Sequence, residues 1–174
     1  MFERLRSAYR TRRLVRWAVD GGVLLAVVLV VGAWQTRNHL SGACPDFAWP
    51  RLDSGATVTR ASLGGKPTLL VFWAPWCGVC KAESQNVSWV QRLVGAHANV
   101  VSVASSFRSV GDVQQYVRER GVDYPVLLAP EGVGGQFGVE AFPTAYFLDG
   151  EGRIRHSVVG YTTTAGMLWR LFVP

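Results

Sequence analysis

Thr68-Leu69-Leu70-Val71-Phe72-Trp73-Ala74 is an unbroken apolar run that predicts a buried strand, launched by the turn Gly64-Gly65-Lys66-Pro67. From Cys77 to about Leu93 the pattern changes: Val87, Val90 and Val94 recur at helical spacing. Asn99 to Ala104 reads as the next strand. Ser109-Val110-Gly111-Asp112 has capping-box spacing and predicts a helix through Val113, Tyr116 and Val117 that stops near Gly121. Tyr124 to Leu128 is another apolar strand. A glycine-rich connection (Gly132, Gly134, Gly135, Gly138) leads to the run Phe142 to Leu148. Asp149-Gly150-Glu151-Gly152 is a hairpin turn into a strand from Arg153 to Val159, and residues from Thr164 to Phe172 predict a closing helix. Thr57-Val58-Thr59 is a weaker strand candidate. Strands alternating with helices, then a hairpin and a last helix, imply an α/β domain whose mixed sheet is covered on both faces.

The N-terminal third follows a different pattern. Residues 17 to 34 are apolar with one charge, Asp20, near their start, and Trp17 and Trp34 stand at the two ends. At helical rise this segment spans roughly 27 Å, enough for the hydrocarbon layer of a membrane. Six arginines lie before it (Arg4, Arg6, Arg10, Arg12, Arg13, Arg16), an orienting charge that keeps the N-terminus inside. The expected layout is therefore a basic cytoplasmic segment over 1–16, a transmembrane anchor over 17–34, a linker over 35–50 and a folded domain over 51–174. A cleaved signal peptide is the competing reading, with Ser41-Gly42-Ala43 as the cleavage site. Six residues, including Gln35, Arg37, Asn38 and His39, separate that site from the apolar core, which favours the anchor. Ser41 disfavours a lipid-modified Cys44, and Arg16 spoils a twin-arginine reading of Arg12-Arg13. All four place the domain outside the cytoplasm.

The 174 residues suffice for one ordinary domain plus a targeting segment, and 49% hydrophobic residues with seven tryptophans supply a proper core. The formal charge of +6 is concentrated at the N-terminus, so it argues for no nucleic-acid partner. No internal repeat or low-complexity tract is present.

The chemistry lies in Trp76-Cys77-Gly78-Val79-Cys80-Lys81, where the buried strand should turn into a helix. Two thiols two residues apart suit reversible disulfide exchange. Cys77 would sit at the first helical turn, where unpaired N–H groups and the helix dipole favour thiolate. Cys80, one turn along the same face, can attack the mixed disulfide that Cys77 forms. Zinc lacks ligands, because neither a second CxxC nor a paired histidine set occurs. His39, His97 and His156 are scattered and read as surface residues.

Phe72 to Lys81, followed some sixty residues later by Phe142-Pro143-Thr144 and a hairpin, resembles the thioredoxin superfamily. More narrowly, it is similar to the membrane-tethered TlpA/ResA/CcmG(DsbE) proteins and to the related ScsD-type proteins. The resemblance runs from Pro45 to the C-terminus. It implies a thioredoxin-like fold, a mixed central sheet flanked by helices, and a protein-disulfide oxidoreductase with no metal, nucleotide or flavin cofactor. It implies that Pro143 is cis beside the dithiol, and that Trp76, Gly78, Val79, Phe142, Pro143 and Thr144 face the bound thiol partner. Glu83 matches the glutamate of the Cys-x-x-Cys-x-x-Glu pattern. If buried, it would take the proton from Cys80 during resolution; on spacing alone it reads equally as a solvated surface residue.

The implied role is reduction of client disulfides, in apocytochrome c maturation or copper and oxidative stress. Electrons would come from a membrane dithiol donor of the DsbD/CcdA sort, in a monomer at the bacterial inner membrane with its domain in the periplasm. A DsbA-like oxidase is the redox alternative. A Cu(I)-binding chaperone using both thiolates is the alternative of another class, though no nearby His or Met completes its site. A peroxidase of the peroxiredoxin type is disfavoured, because Ala74 stands where its Thr-x-x-Cys pocket needs threonine. Cys44, outside the motif, reads as an inert small residue, a free thiol near the membrane or an intermolecular link.

Overall fold

The computed structural model describes residues 42–173 and, nearer the N-terminus, only the isolated helical positions 15, 17, 19–23 and 26. The expected basic segment falls outside the described residues except for Val15, and so does most of the expected anchor. Among the described residues no helix is long and apolar enough to cross a membrane.

Over the described residues 42–173, eight strands and four α-helices follow in order: β1 (Gly42–Ala43), β2 (Ala48–Pro50), β3 (Thr57–Thr59), β4 (Thr68–Trp73), α1 (Gly78–Val94), β5 (Asn99–Ala104), α2 (Val110–Arg120), β6 (Val126–Leu128), α3 (Val133–Phe137), β7 (Thr144–Leu148), β8 (Arg153–Val159) and α4 (Thr164–Phe172). Six strands form one sheet in the order β1-β8-β7-β4-β5-β6, and β2 and β3 form a separate antiparallel pair. β4, β5 and β6 run parallel, whereas β7 pairs antiparallel with both β4 and β8.

β4 is buried at all six positions because the sheet is covered on both faces. Its side chains alternate. Leu70 and Phe72 point to a core built with Phe47, Trp49, Phe137 and Tyr146, while Leu69 and Val71 meet Val87, Val90 and Val94 of α1 and Met167 and Leu171 of α4. A third cluster lies at the end of β4 that carries the dithiol: Trp73, Cys77 and Cys80 pack with Val113 and Tyr116 of α2.

The helix signals read from the sequence hold. The Ser109 hydroxyl accepts the Asp112 amide, the Asp112 carboxylate accepts the Ser109 amide, and Gly121 closes α2 in the left-handed region at φ 59°.

Four features differ from expectation. Residues 42–50, expected as the end of a linker, are part of the domain. β1 pairs with β8, Trp49 sits opposite Val58, and Cys44, Phe47 and Trp49 are buried. Pro45 and Pro50 mask an alternation in which Phe47 and Trp49 share one face two residues apart. The glycine-rich connection contains a short helix, α3, which buries Val133 and Phe137. Gly134 permits this turn, since a Cβ there would lie 2.9 Å from the Val139 carbonyl oxygen. β6 and β7 begin later than the apolar runs, at Val126 and Thr144. Each is preceded by a proline, which cannot donate to a ladder.

Candidate active site

At the end of β4 the chain turns through Pro75 and Trp76, and the Cys77 amide bonds back to the Ala74 carbonyl at 3.0 Å. Cys77 then takes the N-cap position of α1, with extended backbone, and its sulfur accepts the Cys80 amide at 3.0 Å. A helix start directs free N–H groups and a partial positive charge at this sulfur, the environment that favours thiolate. Cys77 and Cys80 are joined as a disulfide with Cα atoms 5.3 Å apart. Both are nearly covered, Cys77 at 5% exposure and Cys80 at 3%. The accessible surface is the shoulder around them, where Trp76 is 66% and Val79 46% exposed and Gly78 is open.

Trp76 is held from two sides. Its indole N–H donates to the Ser106 carbonyl at 2.8 Å, and its ring meets Phe142 edge-on with centroids 5.7 Å apart. Phe142 packs against the cluster that holds Cys77 and Cys80 and leads into Pro143 through a cis peptide; of the expected residues, Trp76, Gly78, Val79 and Phe142 adjoin the dithiol, and Pro143 follows as a buried residue. Thr144 does not join them. It is fully buried, and its hydroxyl donates to the Ala141 carbonyl at 2.8 Å, which places it behind the loop and away from an incoming partner.

Glu83 is buried, at 2% exposure. It lies one helical turn beyond Cys80 on α1, and its Oε1 accepts the Thr162 amide at 2.7 Å. Desolvation raises its pKa to about 7, partly opposed by the Thr162 hydrogen bond. The carboxyl therefore changes charge near neutrality, the range useful to a proton acceptor.

Several residues that support the site carry no sequence signal for it. The Tyr116 hydroxyl donates to the Cys80 carbonyl at 2.9 Å, and burial raises its own pKa to about 12. Arg120 donates to the Lys81 carbonyl at 2.9 Å, so α2 grips the first turn of α1 twice. Tyr116 reads in the sequence only as an apolar helix position. Cys44 lies remote from this site in the opposite core, where burial pushes its thiol up to about 11 despite the nearby Arg60 cation. That makes it a packed, unreactive thiol.

The sequence pattern of the AhpC/TSA family matches residues 40–157. The chain belongs to the AhpC/TSA family. Within that family it is similar to the thioredoxin-like protein YneN of Bacillus subtilis, with 31% identity over 91% of this chain and 98% of YneN. It is also similar to the thiol-disulfide oxidoreductase ResA of Oceanobacillus iheyensis, with 30% identity over 91% of this chain and 84% of that one. Among solved structures, a Chlorobium tepidum protein designated a thiol:disulfide interchange protein DsbE superposes with a TM-score of 0.68 at 25% identity, over 76% of this chain and 99% of its own. The fold is thus thioredoxin-like. With its Cys77–Cys80 pair, this AhpC/TSA member is a thiol-disulfide oxidoreductase of the DsbE/ResA type, and such proteins act on cysteine-containing clients by disulfide exchange.

Proposed function

We propose that the domain reduces disulfides in extracytoplasmic client proteins, with Cys77 as nucleophile, Cys80 as resolving thiol and Glu83 as proton acceptor. The observation that carries this reading is a buried carboxyl one turn behind Cys80, in a helix whose N-cap is the sulfur of Cys77. In the reduced domain the Cys77 thiolate attacks one sulfur of a client disulfide. A Cys77–client disulfide forms, and the other client sulfur leaves as a thiolate. Cys80 then gives its proton to ionised Glu83 and attacks Cys77, forming the Cys77–Cys80 disulfide and releasing the second client sulfur. Two electrons pass from domain to client, and Glu83 returns its proton to solvent or to the departing thiolate. A dithiol donor of the DsbD/CcdA kind would reverse the sequence to recharge the domain.

Client backbone would lie along Phe142 beside Pro143, against the shoulder of Trp76, Gly78 and Val79, in the manner of strand addition. The ResA and DsbE likeness supports reduction over oxidation, with clients such as apocytochromes c or copper-stress partners. The apolar span 17–34 and the arginines before it support a tether with the N-terminus inside and the domain in the periplasm. A tether keeps donor and client in one plane and raises their effective concentration.

A Cys80→Ser variant tests the chemistry. It should accumulate covalent adducts on Cys77 that reductant releases, containing a membrane dithiol protein and cysteine-bearing clients. No adduct at Cys77 would sink the proposal. Equilibration with glutathione should give a reducing potential near that of thioredoxin; a potential near that of DsbA would reassign the protein as an oxidase. Full-length chain should resist alkaline carbonate extraction from membranes, and its release would remove the tether.

A further inference from the structure

The residues Gly160–Thr163 join β8 to α4, and hydrogen bonds hold the segment at two places. At one end the Gly160 amide donates to the Pro143 carbonyl at 2.8 Å, with Gly160 in the left-handed region at φ 84°. At the other end Thr162 is clipped by two side chains one turn apart on α1. Its N–H goes to Glu83 Oε1 at 2.7 Å, and its carbonyl accepts from Asn86 Nδ2 at 2.9 Å. Asn86 Nδ2 also donates to the Tyr161 hydroxyl at 2.9 Å, and Asn86 Oδ1 receives the Thr164 hydroxyl at 3.4 Å. The Thr162 carbonyl can only accept, which fixes the orientation of the Asn86 amide. Three residues therefore connect the proline loop beside the dithiol to the buried carboxyl behind it.

We propose that Asn86 is a positioning residue: it straps Gly160–Thr164 onto α1, keeps the Thr162 amide on Glu83, and so links the proton-accepting carboxyl to the Pro143 loop. The reasoning is electrostatic. A backbone N–H aimed at a buried carboxylate favours its charged form. The other titratable groups facing Glu83 give no such help. Cys80 shares its helix, Tyr116 approaches from α2, and Tyr124 approaches from the segment before β6; burial raises the pKa of both tyrosines, so they stay neutral. Arg170, the charged residue of α4, is hydrogen-bonded to the Gly166 carbonyl of its own helix. Among the described residues no cation is paired with Glu83, and the Thr162 amide is the one hydrogen-bond donor recorded for it. Holding that amide in place is the work left for Asn86. Its catalytic consequence rests on the proposed role of Glu83.

The test is the Glu83 titration, followed by carboxyl carbon NMR in the oxidised domain, in parallel with the pH profile of mixed-disulfide resolution. Asn86→Ala should raise the Glu83 midpoint by about half to one pH unit, the size expected when one hydrogen bond to the charged form weakens. Resolution at pH 7 should slow about twofold to fivefold and recover as the pH approaches 9. Tyr161→Phe, a substitution at an exposed ring, removes one leg of the strap and should shift both in the same direction by less. It also serves should Asn86→Ala not fold. An unchanged Glu83 midpoint in a folded variant overturns the strap. A shifted midpoint with an unshifted rate profile keeps the strap and overturns the proton-acceptor role of Glu83 instead.

Discussion

Glu83 and Thr162 are 79 positions apart in the chain, yet the Thr162 amide donates to the Glu83 carboxyl at 2.7 Å inside the protein. One donor does not replace the hydration that a carboxylate loses on burial, and the pKa rises to about 7 accordingly. The fold thus keeps a costly group one helical turn from Cys80.

That cost depends on pH. Burial raises the Glu83 pKa to about 7 in the folded state, against 4.5 for an ordinary solvated glutamate. Between those values the folded state holds more protons than the unfolded one, so stability present below pH 4.5 is lost as the pH rises through 7. Glu83→Gln should match the parent in urea unfolding near pH 4 and exceed it at pH 8, by at most about 3 kcal/mol. In the same variant, resolution of the mixed disulfide should slow by about 10-fold or more near pH 7. Parallel stability curves for the two proteins would show that Glu83 does not titrate between the two states.

Trp76 is exposed, so its removal should leave the fold in place and impair the encounter with clients. Trp76→Ala breaks the bond to Ser106 and the edge contact with Phe142. Peptide-disulfide reduction should fall about 10-fold through KM, with stability changed by less than about 1 kcal/mol. An unaltered KM would remove Trp76 from the docking surface.

The β2–β3 hairpin should matter as much as any central element. Trp49 stacks on Phe47 with centroids 4.5 Å apart, and lies 5.3 Å from Phe137 and 6.2 Å from Phe72. Trp49→Ala should cost about 3–5 kcal/mol in chemical denaturation. A chain beginning at residue 51 should lose its cooperative transition. A loss under 1 kcal/mol would return the hairpin to the status of a linker.

Cys44 should be silent in the native protein. With its thiol pushed up to about 11 and covered by the core, iodoacetamide at pH 8 should leave it unmodified until the domain unfolds. Rapid labelling under native conditions would contradict the packing of β1.

Local patterns in the chain reveal the active centre to different depths. The Cys77–Cys80 pair after an apolar strand was legible because its chemistry depends on a local strand-to-helix junction, and the Ser109–Asp112 capping box was legible for the same reason. Burial of Glu83 was not, because spacing says only which helix face it shares with Cys80; α4 and the β8–α4 segment, far along the chain, cover it. Thr144 misled for the complementary reason. It adjoins Pro143, but it opens β7, a strand buried at every position, and its hydroxyl is committed to the Ala141 carbonyl. Phe47 and Trp49 were hidden by the prolines around them, although both complete the core that Leu70 and Phe72 begin.

The pairing of β1 with β8 carries a consequence for how the protein is made. Gly42 and Ala43, the first described residues of the domain, find their partners at Ile154 and Arg153, near the far end of the chain. The Cys44 amide likewise waits for the carbonyl of Gly152. An emerging polypeptide, read from its N-terminus, must hold this opening stretch unpaired until almost all the rest has been delivered. Its last-synthesised hairpin acts as the clasp, and a chain cut short before Arg153 would display an open margin of β7 to any neighbouring extended chain.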